Sequence, residues 1–225
     1  MPSGRVGARA GELVRSPVAT SRAPGRVAVE PARGTGRGGV DPGRGRAGAV
    51  RRREQARAAA ALGVTEVRYL GYPDGRVDAS LGLRRDLTRS IRELRPSRVL
   101  APTPVWNLAS LAACRPDHLA AGAAVAFAVH PDATTPAAHP ELLAEGLLPW
   151  HVQELWFVSD AQPNRAVDVT DTFETELHGV LAHETRVAAS NLSTEAPQDW
   201  AAEAGRRWRL APGRLAEELR VGAVS

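Results

Sequence analysis

The stretch CRPDHLAAG at positions 114–122 sets a thiol, a guanidinium, a carboxylate and an imidazole ahead of a run of small residues. Each of these groups can do chemistry. Asp117 and His118 follow Pro116 directly, so the pair sits where a helix starts and the imidazole projects from its first turn. Two readings stand side by side. Asp117 can serve as the N-cap or first-turn acid with His118 an incidental neighbour, or His118 can be one ligand of a metal site. One histidine is not a site, because zinc normally takes three or four protein ligands.

The other histidines do not complete a cluster by spacing. His178 and His183 are five residues apart, which on a helix puts them on different faces. His130-Pro-Asp132 and His139-Pro-Glu141 read as turns in a Pro-rich loop. Cys114 has a cation beside it in Arg115 but no paired histidine, so it is not expected to act as a nucleophile. No Gly-x-Ser-x-Gly and no phosphate-cradling P-loop occurs, which argues against the usual serine hydrolases and nucleotidases. The glycines at 34–39 have no strand before them and no helix after them, so they make a weak dinucleotide signal.

The elements that would position these residues follow from periodicity and turn chemistry. Residues 51–62 form a helix closed by Gly63, and residues 65–70 (TEVRYL) form a strand followed by the Pro-Asp-Gly turn that carries Asp74. Leu83, Leu87, Ile91 and Leu94 recur at helical spacing through 80–94, and Pro96 ends that helix before a strand at 98–101. Residues 117–129 are helical, 153–158 and 166–169 are strands, and 170–183 is a further helix. Helices alternating with short strands specify an α/β fold, layered and Rossmann-like, with a mostly parallel sheet. Such sheets gather their chemistry at the carboxyl ends of the strands. The loop with Tyr72 and Asp74 and the loop running to Asp117 and His118 are therefore expected on one edge.

Charge divides the chain unevenly. Residues 1–53 hold 12 Arg and 3 acids, net +9, whereas residues 54–225 hold 17 Arg and 22 acids, net −5. All 29 basic residues are Arg, a bias that fits GC-rich coding better than a selected phosphate-binding face. Residues 1–53 contain no aromatic side chain to stack on bases, so nucleic acid is an unlikely partner, although an Arg/Gly-rich segment of that charge leaves an RNA-associated reading as the weakest alternative. Residues 1–35 carry no helical or alternating period and are expected to be disordered or non-homologous, supplying no core. The longest apolar run, 119–129, falls far short of the roughly 20 residues that cross a bilayer, so no transmembrane segment is expected. The single cysteine fits a reducing cytoplasm.

Several segments in order, RRREQARAAAALGV (51–64), VRYLGYPDGRVD (67–78), LRRDLTRSIRELRPSRVLAPTP (83–104), RPDHLAAG (115–122), HPELLAEGLLPWHVQELWF (139–157) and NRAVDVTDTFE (164–174), resemble the PIG-L/LmbE family of zinc-dependent de-N-acetylases. The resemblance covers roughly 36–225, which would form one deacetylase domain. It implies removal of an N-acetyl group from an N-acetylglucosaminyl-type glycoside, with Zn2+ as cofactor and a small N-acetylated glycoside as partner. Carried over by position, His118 matches a zinc ligand, Asp74 a residue that contacts sugar hydroxyls, and Arg51 and Glu54 lie near a substrate-side Arg-x-x-Glu. Two departures accompany the match. The family's first strand ends in Ala-His-Pro-Asp-Asp, which supplies two ligands and the general base, and nothing like it occurs in residues 1–50; the first strand is expected to be missing or replaced. Arg115 stands where the family has a histidine, and a guanidinium can steady an oxyanion but keeps its proton at neutral pH. The expected function is thus a metal-dependent de-N-acetylase impaired in this chain, with a catalytically inactive carbohydrate or inositol-glycoside binding protein of the same fold as the alternative.

Overall fold

The computed structural model describes residues 18–22, 25–32, 42–108, 111, 114–190 and 195–224. Its elements are strands β1 (Val18–Arg22) and β2 (Gly25–Ala32), helix α1 (Pro42–Ala61), β3 (Val64–Tyr72), α2 (Leu81–Leu94), β4 (Arg98–Pro102), α3 (Pro116–Phe127), α4 (Pro140–Ala144), β5 (Glu154–Val158), β6 (Arg165–Asp168), α5 (Phe173–Leu181), α6 (Glu184–Ser190), α7 (Ala196–Arg207) and β7 (Ala216–Ala223). The seven strands make one sheet in the order β3-β2-β1-β4-β5-β7-β6.

The α/β expectation holds, with a change in how the sheet is built. β2 pairs parallel with β3 and β4 with β5, while β1 is antiparallel to both β2 and β4, and β7 to both β5 and β6. The sheet is therefore mixed. Five strands point one way, and the two that run against them turn four of the six neighbouring pairs antiparallel. The place of the first strand is filled: β1 and β2 stand between β3 and β4, from a segment expected to give no element, which agrees with a first strand that is replaced. Val27 and Val29 alternate along β2, a short signal masked in the sequence by the Gly, Pro and Arg on either side. Residues 1–17, 23–24 and 33–35 of that segment lie outside the described residues.

Two layers of side chains leave the sheet with period two. Val99, Ala101 and Leu155 face α2 and α3, packing with Leu83, Leu87, Ile91, Ala124 and Val125. Trp156, Val158 and Leu219 face the other way, and α5 and α7 add Phe173 and Ala201 on that side. α2 shows why the pattern was legible. The Ser80 hydroxyl accepts the N–H of Leu83 at 3.5 Å, and the helix ends at Arg95, whose left-handed backbone (φ 50°) donates its N–H to Ile91 ahead of Pro96. Among the described residues no helix is long and apolar enough to cross a membrane.

Candidate functional site

The carboxyl ends of β3, β4, β5 and β6 lie on one edge of the sheet, as their shared direction requires. The chain turns at Gly71, near the end of β3, and at Gly75 in the loop after it, both with φ near +80°, a region that glycine enters without the clash a Cβ brings. That loop is held by Asp117. One carboxylate oxygen accepts the Gly75 N–H at 2.6 Å and the other the Val77 N–H at 3.2 Å, and Asp117 is only 9% exposed. So Asp117 is a first-turn acid of α3 but not its cap; the N-cap position belongs to Arg115, with Pro116 in the first turn.

This clamp brings together what the sequence expected together. Asp74, next to Gly75, pairs with Arg51 at 2.6 Å, each side chain about two-fifths exposed. His118, next to Asp117, is half-buried on the first turn of α3, and Arg115 is exposed. Gly122 lies four residues on from His118, one turn along the same face. A Cβ at Gly122 would stand 2.3 Å from the carbonyl oxygen of Pro102 and 2.9 Å from the nitrogen of Pro104. The absence of a side chain is what lets this face of α3 sit directly on the end of β4.

Glu54 goes elsewhere. It is 1% exposed, and its two oxygens accept the backbone N–H and the hydroxyl of Thr185 at 2.8 and 2.9 Å. The structure thus uses it to tie α1 to the first turn of α6, while Arg51, one turn earlier on α1, pairs with Asp74. The Pro-rich turns resolve into a separate buried cluster: Arg84 grips Asp132 with two hydrogen bonds of 2.9 and 2.7 Å, His139 Nε2 lies 3.4 Å from the same carboxylate, and Arg92 donates to the carbonyls of Asp132 and Thr135. Cys114 is buried and accepts the Asn107 N–H at 3.0 Å, closing the loop after β4.

The same edge holds a residue that sequence reasoning passed over. Asp160, just after β5, accepts the Thr103 hydroxyl at 2.6 Å and the Gln162 N–H at 2.8 Å. Its position after a strand was the available signal, since Ser159 and Asp160 follow QELWFV directly. At the end of β3 the Tyr72 hydroxyl donates to Asp86 at 2.9 Å; burial, and then the Asp86 carboxylate, push the phenol above its ordinary range. At the end of β6, the Asp168 carboxyl is held below its usual range first by the Thr170 hydroxyl, then by the Thr170 N–H and Arg214.

A zinc site is not built from these residues. Among the described residues no three of His, Cys, Asp and Glu gather as a metal would need, and residues 1–50 contain no histidine. The residues present do not fit the ligand set that the resemblance implies.

Residues 20–129, which include Arg51, Asp74, Arg115 and His118, match the family described as GlcNAc-PI de-N-acetylase, PIG-L. Over that stretch the chain is similar to a PIG-L family domain. The match begins at residue 20, so it takes in strands from the segment set apart in the sequence. Diacetylchitobiose deacetylase of Thermococcus kodakarensis is 33% identical over 137 residues, 59% of this chain and 48% of that protein; the chain spans about half the length of this curated relative. The structure of N,N'-diacetylchitobiose deacetylase from Pyrococcus horikoshii in complex with an inhibitor superposes with a TM-score of 0.70 at 25% identity, covering 87% of this chain and 72% of that one. The 4-carboxy-2-hydroxymuconate hydratase of Pseudomonas putida KT2440 superposes with a TM-score of 0.66 at 17% identity, covering 88% and 85%. That last likeness is one of fold alone, and it shows the PIG-L architecture beside a different reaction.

Proposed function

We propose that this PIG-L-like domain takes an N-acetylated glycoside of the N-acetylglucosaminyl type at the carboxyl edge of its sheet, as a de-N-acetylase whose hydrolytic step is impaired. The observation that carries the reading is the Asp117 clamp, which fixes the Asp74 turn against the helix start bearing His118. Asp74 accepts sugar hydroxyls and Arg51 orients it through their ion pair. Arg115 offers N–H donors to the acetyl oxygen, and His118 offers a ring nitrogen to hold a proton beside the amide. Zinc would, in this family's chemistry, polarise the acetyl carbonyl and activate water, but the described residues do not supply its ligand set.

That no three such ligands gather among the described residues favours a second reading, a carbohydrate or inositol-glycoside binding protein without turnover. Zinc analysis of the purified chain, paired with calorimetric binding and amine release from N-acetylglucosaminides, tests both. The expected result is glycoside binding with well under one equivalent of zinc and slow amine release. Binding with no release at all supports the second reading. About one equivalent of zinc with full turnover overturns the impairment, and the lack of any glycoside binding overturns the site.

A further inference from the structure

The loop that joins β4 to α3 leaves the carboxyl edge of the sheet, and it presents Trp106 with 57% of its surface exposed. A side chain of that size is normally well covered, with its indole N–H bonded. Three other tryptophans follow that rule: the indoles of Trp150, Trp156 and Trp208 donate to the Pro96 carbonyl, Glu154 and Glu218. Trp106 has no such partner among the described residues. Yet the backbone on both sides of it is pinned. Before it, the Val105 N–H donates to the Thr103 hydroxyl at 3.3 Å, and that hydroxyl donates in turn to Asp160 at 2.6 Å. After it, the Asn107 N–H donates to the buried Cys114 sulfur at 3.0 Å. An exposed indole on a fixed backbone is a surface formed before a ligand arrives, so binding to it costs little in ordering.

Contacts place this surface beside the candidate site. Cys114, which holds Asn107, is followed by Arg115, and the Arg115 carbonyl accepts the N–H of His118 at 2.9 Å. From the other direction, the face of α3 that Gly122 shares with His118 rests on residues 102–104, which end two positions short of Trp106. A pyranose is polar at its rim and apolar on the faces where its C–H bonds stand. One face can therefore lie on an indole while the rim hydroxyls reach an acceptor such as Asp74. We infer that Trp106 is the platform on which the sugar ring of the ligand stacks, and so a specificity-determining residue that favours a closed pyranose over an open-chain N-acetyl compound. This rests on the proposed glycoside site around Asp74 and His118 and adds the residue that holds the ring by its face.

Calorimetry on the full chain with N-acetylglucosamine and with its ring-opened alditol, N-acetylglucosaminitol, tests the platform. The closed ring is expected to bind about tenfold more tightly than the alditol. Trp106→Ala should remove that difference, and Trp106→Phe, which keeps an aromatic face, should retain most of it. Leu108→Ala, at a residue 82% exposed on the same loop, is the control and should change neither affinity. In the unaltered chain, saturating N-acetylglucosamine should also shield tryptophan emission from acrylamide quenching. No shielding there overturns the platform, whether or not the variants fold, and shielding that persists in Trp106→Phe overturns it too. A ring preference that survives Trp106→Ala does the same and leaves the Asp74 site standing. Unchanged sugar affinities in Trp106→Ala with a smaller mass in sedimentation overturn the platform and give this surface to a second copy of the chain. No binding of N-acetylglucosamine to the unaltered chain overturns the glycoside site and the platform with it.

Discussion

Asp117 is the residue on which the edge turns. Its two oxygens satisfy two backbone N–H groups of a neighbouring loop, and removing both acceptors leaves those donors to find water or nothing. Asp117→Ala is expected to lose about 1–3 kcal/mol of stability, measured by urea denaturation, and to weaken glycoside binding by loosening Asp74. Asp117→Asn keeps one acceptor and should fall between. At the other end of the same loop, Tyr72 gives a pH dependence. Its folded-state ionisation lies above the ordinary phenol value, so its contribution is complete below about pH 10, where the unfolded phenol ionises, and is lost as pH rises from there toward the folded value. Stability measured at pH 9 and pH 11 should fall less in Tyr72→Phe than in the unaltered chain; an equal fall would remove this account. Residue types and spacing marked His118 and the turn bearing Asp74, because turns and helix starts leave marks in sequence, whereas Arg51 came into view only through the family resemblance. The clamp itself did not, since a contact between residues 75 and 117 has no local signature.

At the scale of elements, α3 is placed by what it lacks. A methyl at Gly122 would meet backbone on β4 and the residues after it, neither of which can swing aside as a flexible side chain would. Gly122→Ala is therefore expected to cost about 1–3 kcal/mol, with a lowered melting temperature and weaker ligand binding as the helix start shifts. Gly48→Ala is the matched control, in α1 with nothing within 4 Å of the added methyl; it should be neutral or stabilising by up to about 1 kcal/mol. The amphipathic α2 and the strands β4 and β5 could be read from the sequence because each has a strong period and a definite stop. β7 could not: Glu217, Glu218 and Arg220 interrupt its apolar alternation, and its place beside β5 is settled by pairing alone. β1 and β2 failed for the same reason, with Gly and Pro hiding a hairpin whose register is fixed by its neighbours.

For the whole molecule, the inner place of β1 makes the sheet depend on it. β1 joins the β2–β3 pair to the block of β4, β5, β7 and β6. Deleting residues 1–24 should divide the sheet and leave two strand edges open to solvent, which are templates for aggregation. Circular dichroism and size-exclusion chromatography of the truncated chain should show loss of the folded species or its conversion to aggregates; a truncated chain that folds and binds as before would mean that β1 is dispensable. The division of charge, net +9 before residue 54 and net −5 after it, places this sheet-completing hairpin in the basic part of the chain. Its arginines can thus belong to a folded domain, and they need no nucleic acid to account for them.

The direction of β1 also decides how the protein should be handled. Because Val18 pairs toward the carboxyl end of β2 and Arg22 toward its beginning, the chain enters the sheet from the edge that carries Asp74 and His118. β7 leaves by the opposite edge, its Ala223 beside Glu154 at the start of β5. A surface linker placed after β7 would therefore attach on the side away from the proposed binding edge. Immobilised through its carboxyl terminus, the protein presents its binding edge to the flow, and sugar affinities taken in that orientation should match those in free solution.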